Sequence, residues 1–138
     1  MITVTRLFAD SGGDSHFEDL ALAGEIFRFG SAQSVSAIVE GIPVESMMFR
    51  EVLDEGNPAS PAIPHRAPNR QIEIILSGTC EIEASDGEIR QFGPGDILLE
   101  EDLTGKGHLF RPLSGPRRMV FIRVPLDWQP DKQAAEPR

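Results

Sequence analysis

The chain has 138 residues and a net charge of −9, from 13 Lys and Arg against 22 Asp and Glu. This length suits one domain with a single core. The acidic balance argues against nucleic acid and anionic membranes, which both favour basic patches. One cysteine, Cys80, excludes an internal disulfide and a cysteine-based zinc cage. We therefore expect a cytoplasmic protein that binds neither nucleic acid nor membrane.

Short runs rich in Ile, Val, Phe and Leu alternate with Gly and Pro along the chain, which is typical of an all-β fold. The Pro-rich segment 54–64 predicts a long loop. Turns are predicted at 77–78, at 85–87 and at 93–96, where Gly or Pro interrupts the apolar runs. The pattern predicts strands, in chain order, at residues 2–8, 24–28, 34–40, 44–52, 71–76, 79–84, 88–92, 96–100, 107–111 and 118–124.

The composition changes little along the chain until its end, and no internal repeat is present. We therefore predict one domain over residues 1–128, with a separate strand arm at 2–8. The loop 9–15 would separate this arm from the rest of the domain. A polar tail is predicted at 129–138, where the residues lack an apolar period.

The predicted strand at 71–76 carries polar residues on one of its faces. Gln71 and Glu73 alternate with apolar residues, so they point to the same side as Ile75. A polar face beside a Pro-rich loop either meets solvent or lines a cavity. We favour the cavity, with the opposite face packed against apolar neighbours through Ile72, Ile74 and Leu76.

Two of the three histidines lie beside loops at the ends of predicted strands, where functional sites are often built. His65 ends the Pro-rich loop, and His108 follows Thr-Gly-Lys-Gly. We predict that both side chains and Gln71 converge at one site. His16 has no such context and is assigned no role.

The order His65, Gln71, Gly78, then Gly-Pro-Gly-Asp at 93–96 and His108 resembles the two sequence motifs of the cupin superfamily. The resemblance covers residues 64–124, close to half the chain. In the first motif His65 matches the first histidine and Gly78 the closing glycine. Ala67 replaces the second histidine, and Gln71 replaces the glutamate.

The second motif begins with glycine and an apolar strand, which residues 95–99 match well. Its histidine is represented by His108, two residues later than usual, and Lys106 holds the usual position. The resemblance is closest to small single-domain cupins. It implies an antiparallel jelly-roll β-barrel. It also implies a homodimer, in which the arm 2–8 extends the sheet of a second subunit and hides its own edge.

Imidazole nitrogens at His65 and His108 are good donors for a divalent transition metal such as Zn, Ni, Mn or Fe. Glu73 would add the carboxylate of a two-histidine, one-carboxylate set, and Gln71 a fourth contact. Because a histidine and a glutamate of the usual set are replaced, we expect weak metal binding. A polar cavity without metal is the alternative.

Three further residue groups have weaker functional indications. Arg70 is a candidate carboxylate ligand, with an ion pair to a nearby acid as the alternative. Lys106 is a candidate substrate contact, with a solvated side chain as the alternative. The acidic run 100–102 is interpreted as a solvated turn. Cys80 shares its strand face with apolar residues, which favours a core thiol over a nucleophile.

Three classes of function are consistent with these residues. The first is a metal-assisted enzyme that acts on a polar or carboxylated small molecule. The second is a metal-free isomerase, epimerase or lyase with His65 or His108 as a catalytic base. The third is a non-catalytic ligand-binding or sensing module with the same pocket. We rank the metal-assisted class first, because the two histidines fall near the ligand positions that the resemblance implies.

Overall fold

A computed structural model of the chain describes residues 1–130, and this part of the chain is all β, as predicted. Residues 131–138, which make up most of the predicted polar tail, lie outside the described residues. No helix in the described part has the length and apolarity needed to cross a membrane. The strands are β1 (Ile2–Ala9), β2 (Ser15–Leu22), β3 (Glu25–Phe29), β4 (Ser34–Ile38), β5 (Ser46–Glu51), β6 (Gln71–Ala84), β7 (Ile89–Phe92), β8 (Ile97–Glu101) and β9 (His108–Arg123).

The main sheet is mixed and has the strand order β2-β1-β8-β6-β9-β5, with β7 also paired to β6. Its centre is the long antiparallel pair of β6 and β9, which runs from Gln71 opposite Arg123 to Ala84 opposite His108. Strands β3 and β4 form a separate two-stranded sheet. The site described below lies on one face of β5, β9, β6 and β8.

Two pairs of predicted strands are continuous in the structure. The first pair, at 71–76 and 79–84, forms the single strand β6. At Gly78 the chain makes an irregularity with φ of +78° instead of a turn. A Cβ added there would lie 2.5 Å from Cγ of Arg117, so the close packing requires glycine. The predicted strands at 107–111 and 118–124 likewise form one strand, β9, because residues 112–117 stay extended opposite β6.

Strand β2 is absent from the prediction, and its presence changes the role of the N-terminal strand. β1 pairs along its whole length with β2, and Thr5–Phe8 also pairs in parallel with β8. Both edges of β1 are therefore occupied over these residues. The prediction of a separate arm that extends the sheet of a second subunit is wrong for them. β2 was missed because Glu18 and Asp19 disfavour a strand in sequence, yet both are exposed and pair with arginines.

Each face of the sheet has its own apolar core. One core includes Leu7, Phe17, Ile75, Cys80 and Leu98, and the other includes Val4, Leu22, Ile72, Leu99 and Trp128. Burial raises the pKa of the Cys80 thiol to about 12, which agrees with the prediction of an unreactive core thiol.

Candidate functional site

A polar pocket of about 410 Å³ opens on one face of β5, β9, β6 and β8. The loop 52–70, which connects β5 to β6, contributes His65 to its wall. Met119 and Phe121 of β9 supply apolar wall. The charged side chains that line it are Arg50, Glu73, Glu100 and Arg117.

Strand register explains why the polar residues of β6 and β8 meet in this pocket. Gln71 lies directly opposite Glu100, and Glu73 lies opposite Leu98, so Glu73 and Glu100 are diagonal neighbours on one face. Gln71 and Glu73 are 7% and 8% exposed, which confirms the prediction that they face a cavity. Leu76, at 49% exposed, does not pack on the opposite face as predicted.

Glu73 and Glu100 are buried neighbours on one pocket wall, close enough for the charge of Glu73 to act on Glu100. Two buried carboxylates side by side repel each other, so the pair favours a state that holds a proton. Burial raises the pKa of Glu73, and burial together with the charge of Glu73 raises that of Glu100 further. Gln71 lies directly opposite Glu100 on the neighbouring strand. Oε1 of Glu100 is buried and has no hydrogen-bond partner among the described residues.

His65 and His108 are brought together, as predicted. Their rings lie 4.5 Å apart between centroids, and their backbones exchange two hydrogen bonds. Nδ1 of His108 lies 2.5 Å from Oδ2 of the fully buried Asp102. Since a carboxylate only accepts, Nδ1 carries the hydrogen and Nε2 is left as the basic nitrogen. His65 and Gln71 both line the pocket, whereas His108 reaches it only through its contact with His65.

Arg117 supplies a buried positive charge that the sequence analysis missed. Its guanidinium makes a two-point ion pair with Glu55, with distances of 2.5 and 3.0 Å, and lies 4.6 Å from the ring centre of Phe110. The hydrogen bonds from Arg117 lower the pKa of Glu55. The pair ties the Pro-rich loop to β9 at the pocket wall. Arg117 and Arg118 are adjacent in the sequence, and nothing in the sequence distinguishes the buried arginine from the exposed one.

Two predicted substrate contacts lie away from this pocket. Arg70 is buried, but its guanidinium bonds to Glu101 and to the carbonyls of Pro125 and Trp128, each at 2.7 Å. It therefore ties the segment after β9 to β8. Lys106 is 65% exposed and pairs with Asp14 at 2.8 Å. The prediction that these two side chains bind substrate is not supported by their positions.

The acidic run 100–102 is not the solvated turn that we expected. Glu100 faces the polar pocket, Glu101 pairs on the opposite side with Arg6 and Arg70, and Asp102 holds His108. Glu100 and Asp102 are 6% and 0% exposed. The burial of Glu100 could have been predicted from the alternation of side chains along β8. This alternation places Glu100 on the same strand face as the buried Leu98.

The predicted metal ligands are only partly assembled. Among residues 1–130, no three His, Cys, Asp or Glu side chains are grouped so that they could hold a metal ion. His65 and His108 are adjacent, but Glu73 lies beside Glu100, and Asp102 occupies one nitrogen of His108. The arrangement does not fit the four-ligand set, and metal binding stays a prediction.

Comparison of the sequence with protein-family models gives no match, and comparison with curated proteins gives none either. The function must therefore be argued from the geometry of the polar pocket.

Proposed function

We propose that this chain is a small cupin whose polar pocket binds a small polar metabolite and exchanges a proton with it. The observation that carries the proposal is the juxtaposition of Glu73 and Glu100, two buried carboxyl groups on one pocket wall. Burying two acids side by side is costly unless they hold a proton. A pair that holds a proton in a pocket open to a ligand can act on that ligand as acid and base.

The cupin jelly-roll assignment rests on where the motif residues lie. His65 and His108 come from the two separate motifs, and their backbones are directly hydrogen bonded. Gly78, the closing glycine of the first motif, has a positive φ and no room for a Cβ. An all-β fold with both features is what the resemblance implies.

The charges around the carboxyl pair favour a substrate that carries a negative group. Of the two arginines that line the pocket, Arg117 is already paired with Glu55, which leaves Arg50. It is the cation best placed to bind a carboxylate. The substrate carbon would then lie near Glu73, which takes or gives the proton, while Gln71 orients Glu100. A metal-free isomerase, epimerase or lyase uses such a proton transfer.

The test is exchange of substrate hydrogen with solvent. The protein is incubated in deuterated water with a panel of small hydroxy acids and keto acids, and deuterium on carbon is measured by NMR. We expect incorporation into one class of compound, with a loss of about 10²-fold or more in Glu73→Gln. Glu83→Gln is the matched control, because Glu83 lies on the same strand outside the pocket and pairs with Arg111.

Binding without exchange would favour the alternative, a non-catalytic ligand-binding module with the same pocket. Exchange that persists in both Glu73→Gln and Glu100→Gln would overturn the role of the pair. Activity that appears only with added metal would instead favour the metal-assisted class, in which His65 and His108 are the first candidates for ligands.

We also propose that the chain forms a homodimer through β5 rather than through β1. β5 ends the strand order of the main sheet, and each of its residues is exposed. Met47 and Phe49 are 59% and 70% exposed. An apolar edge strand invites pairing with another strand, and a second copy would cover it.

A further inference from the structure

A second pocket, of about 240 Å³, lies on the face of the main sheet opposite the polar pocket. Every side chain that lines it is apolar, and none of them contributes to the polar pocket. Five of its wall residues are buried members of the second apolar core: Val4, Leu22, Ile72, Leu99 and Trp128. A concave pocket of this size whose wall is made of apolar side chains fits an apolar molecule.

The alternation of β6 separates the two pockets. Gln71 and Glu73 point to the polar pocket, and Ile72 and Ile74 point to the apolar one. The segment that follows β4 covers the apolar pocket through Val39 and Ile42. The polar and apolar sites thus share strands β6, β8 and β9 but no side chains.

One polar group in this wall has no partner. Trp128 is 7% exposed, and its indole Nε1 is buried with no acceptor among the described residues. The carbonyl oxygen of Trp128 is already bonded to Arg70, and the Arg70 guanidinium lies 5.5 Å from the indole centre. A buried N–H without an acceptor is costly, and an acceptor on a bound molecule would remove that cost.

We propose that this pocket binds a small apolar molecule with one hydrogen-bond acceptor, such as a ketone or an ester, whose oxygen accepts from Nε1 of Trp128. A dry apolar cavity of about 150 Å³ is large enough for benzene. The present pocket is therefore large enough for a compact molecule of about ten carbons. This site is separate from the proposed proton-transfer site and does not depend on it.

The test uses camphor and camphane, two molecules of the same shape that differ by the carbonyl oxygen. Trp128 is the only tryptophan, and the chain has no tyrosine, so intrinsic fluorescence reports this site directly. Binding is measured by Trp128 emission and by thermal shift. We expect camphor to bind roughly 2- to 12-fold more tightly than camphane, as one neutral hydrogen bond supplies.

Two variants test the location of the site. Trp128→Phe, followed by thermal shift, should make the affinities for camphor and camphane equal. Val39→Phe should fill the pocket and weaken the binding of both molecules. Val35→Phe is the matched control, because Val35 lies on β4 and does not line the pocket. It should leave both affinities unchanged.

Three outcomes would overturn the proposal. The first is no binding of either molecule to the wild-type protein, and the second is binding that Val39→Phe leaves unchanged. The third is camphor binding that weakens as protein concentration rises, which would mean that a second copy of the chain covers the pocket instead.

Discussion

The backbones of His65 and His108 exchange two hydrogen bonds, N to O at 3.0 and 2.9 Å, while their rings lie 4.5 Å apart. This bridge joins the loop before β6 to the first residue of β9. It fixes the position of His65 at the polar pocket through a residue that is itself held by Asp102. Any change that separates the two backbones should therefore disturb the pocket wall.

Gly107→Ala should break this bridge. A Cβ at Gly107 would lie 2.3 Å from the carbonyl oxygen of His65, and the residue has φ of +74°. We expect a loss of stability of more than about 2 kcal/mol, from the left-handed backbone and from the clash. Gly87→Ala is the control, since Gly87 has φ of +98° and open space around its Cβ. Urea unfolding that gives equal losses for both variants would contradict this prediction.

Glu73 and Glu100 should make the protein less stable as pH rises. Folding raises the pKa of both groups above 4.5, so it favours their protonated forms. Their contribution is complete below that value and is lost as pH increases through the raised pKa. Glu73→Gln and Glu100→Gln should each flatten the fall in melting temperature as pH rises above 4.5. Glu83→Gln should keep the wild-type slope, and an unchanged slope in both pocket variants would refute the assignment.

His16, at the surface, should also lose its contribution to stability as pH rises. It lies 2.6 Å from Asp10 and 2.8 Å from Asp86, and these hydrogen bonds raise its pKa above 6.5. Its contribution to stability is complete below 6.5 and is lost as pH rises through the raised pKa. The same contact lowers the pKa of Asp10 below 3.8, so that contribution is lost as pH falls through the lowered value.

NMR titration of the imidazole signals checks this directly. Asp10→Asn should move the His16 midpoint towards 6.5, and His16→Gln should raise the pKa of Asp10. Both side chains are exposed, so the effect on melting temperature should be small. A His16 midpoint at or below 6.5 in the wild type would contradict the geometry.

Added Zn, Ni or Mn should bind weakly, if the two histidines act as ligands. We expect titration calorimetry to detect binding that His65→Ala abolishes and that acid weakens, because imidazole must be neutral to bind a metal. His16→Ala is the control, since it removes an imidazole far from the pocket. Stoichiometric metal that survives a chelator would mean a stronger site than predicted. No binding at millimolar metal would remove the metal hypothesis.

Phe49→Glu should weaken the proposed homodimer. Phe49 is 70% exposed on the free edge strand β5, and a charge there opposes pairing with a second copy. Light scattering should find a dimer for the wild type and a smaller dimer fraction for this variant. Ile89→Glu is the control, because Ile89 is also exposed but lies on β7. A wild-type monomer at micromolar concentration would count against the dimer.

The sequence predicted those parts of the fold that local chemistry determines. The Asp-Gly turn after β6 forms as expected, with Gly87 at φ of +98° and its N–H bonded to the carbonyl of Ala84. Gly78 was misread, because a positive φ serves a turn and a strand irregularity equally well. What distinguishes them is the tight contact with Arg117, which is distant in sequence.

The candidate site was predicted in part for the same reason. His65, Gln71 and Glu73 were found from their order and from strand alternation. Glu100 and Asp102 were missed, because three acidic residues in a row indicate solvent exposure unless the partners are known. Those partners, Glu73 and His108, come from other strands.

The parallel pairing of β1 with β8 has a consequence for synthesis of the chain. Thr5 pairs with Leu98. Most of the chain must therefore leave the ribosome before β1 can pair with β8. Until then β1 can pair only with β2, and an isolated hairpin is marginally stable in water. Val4 and Leu7, fully packed in the finished protein, would stay open to other chains during that interval. The N-terminal hairpin can thus complete its folding only after the last third of the sequence has been synthesised.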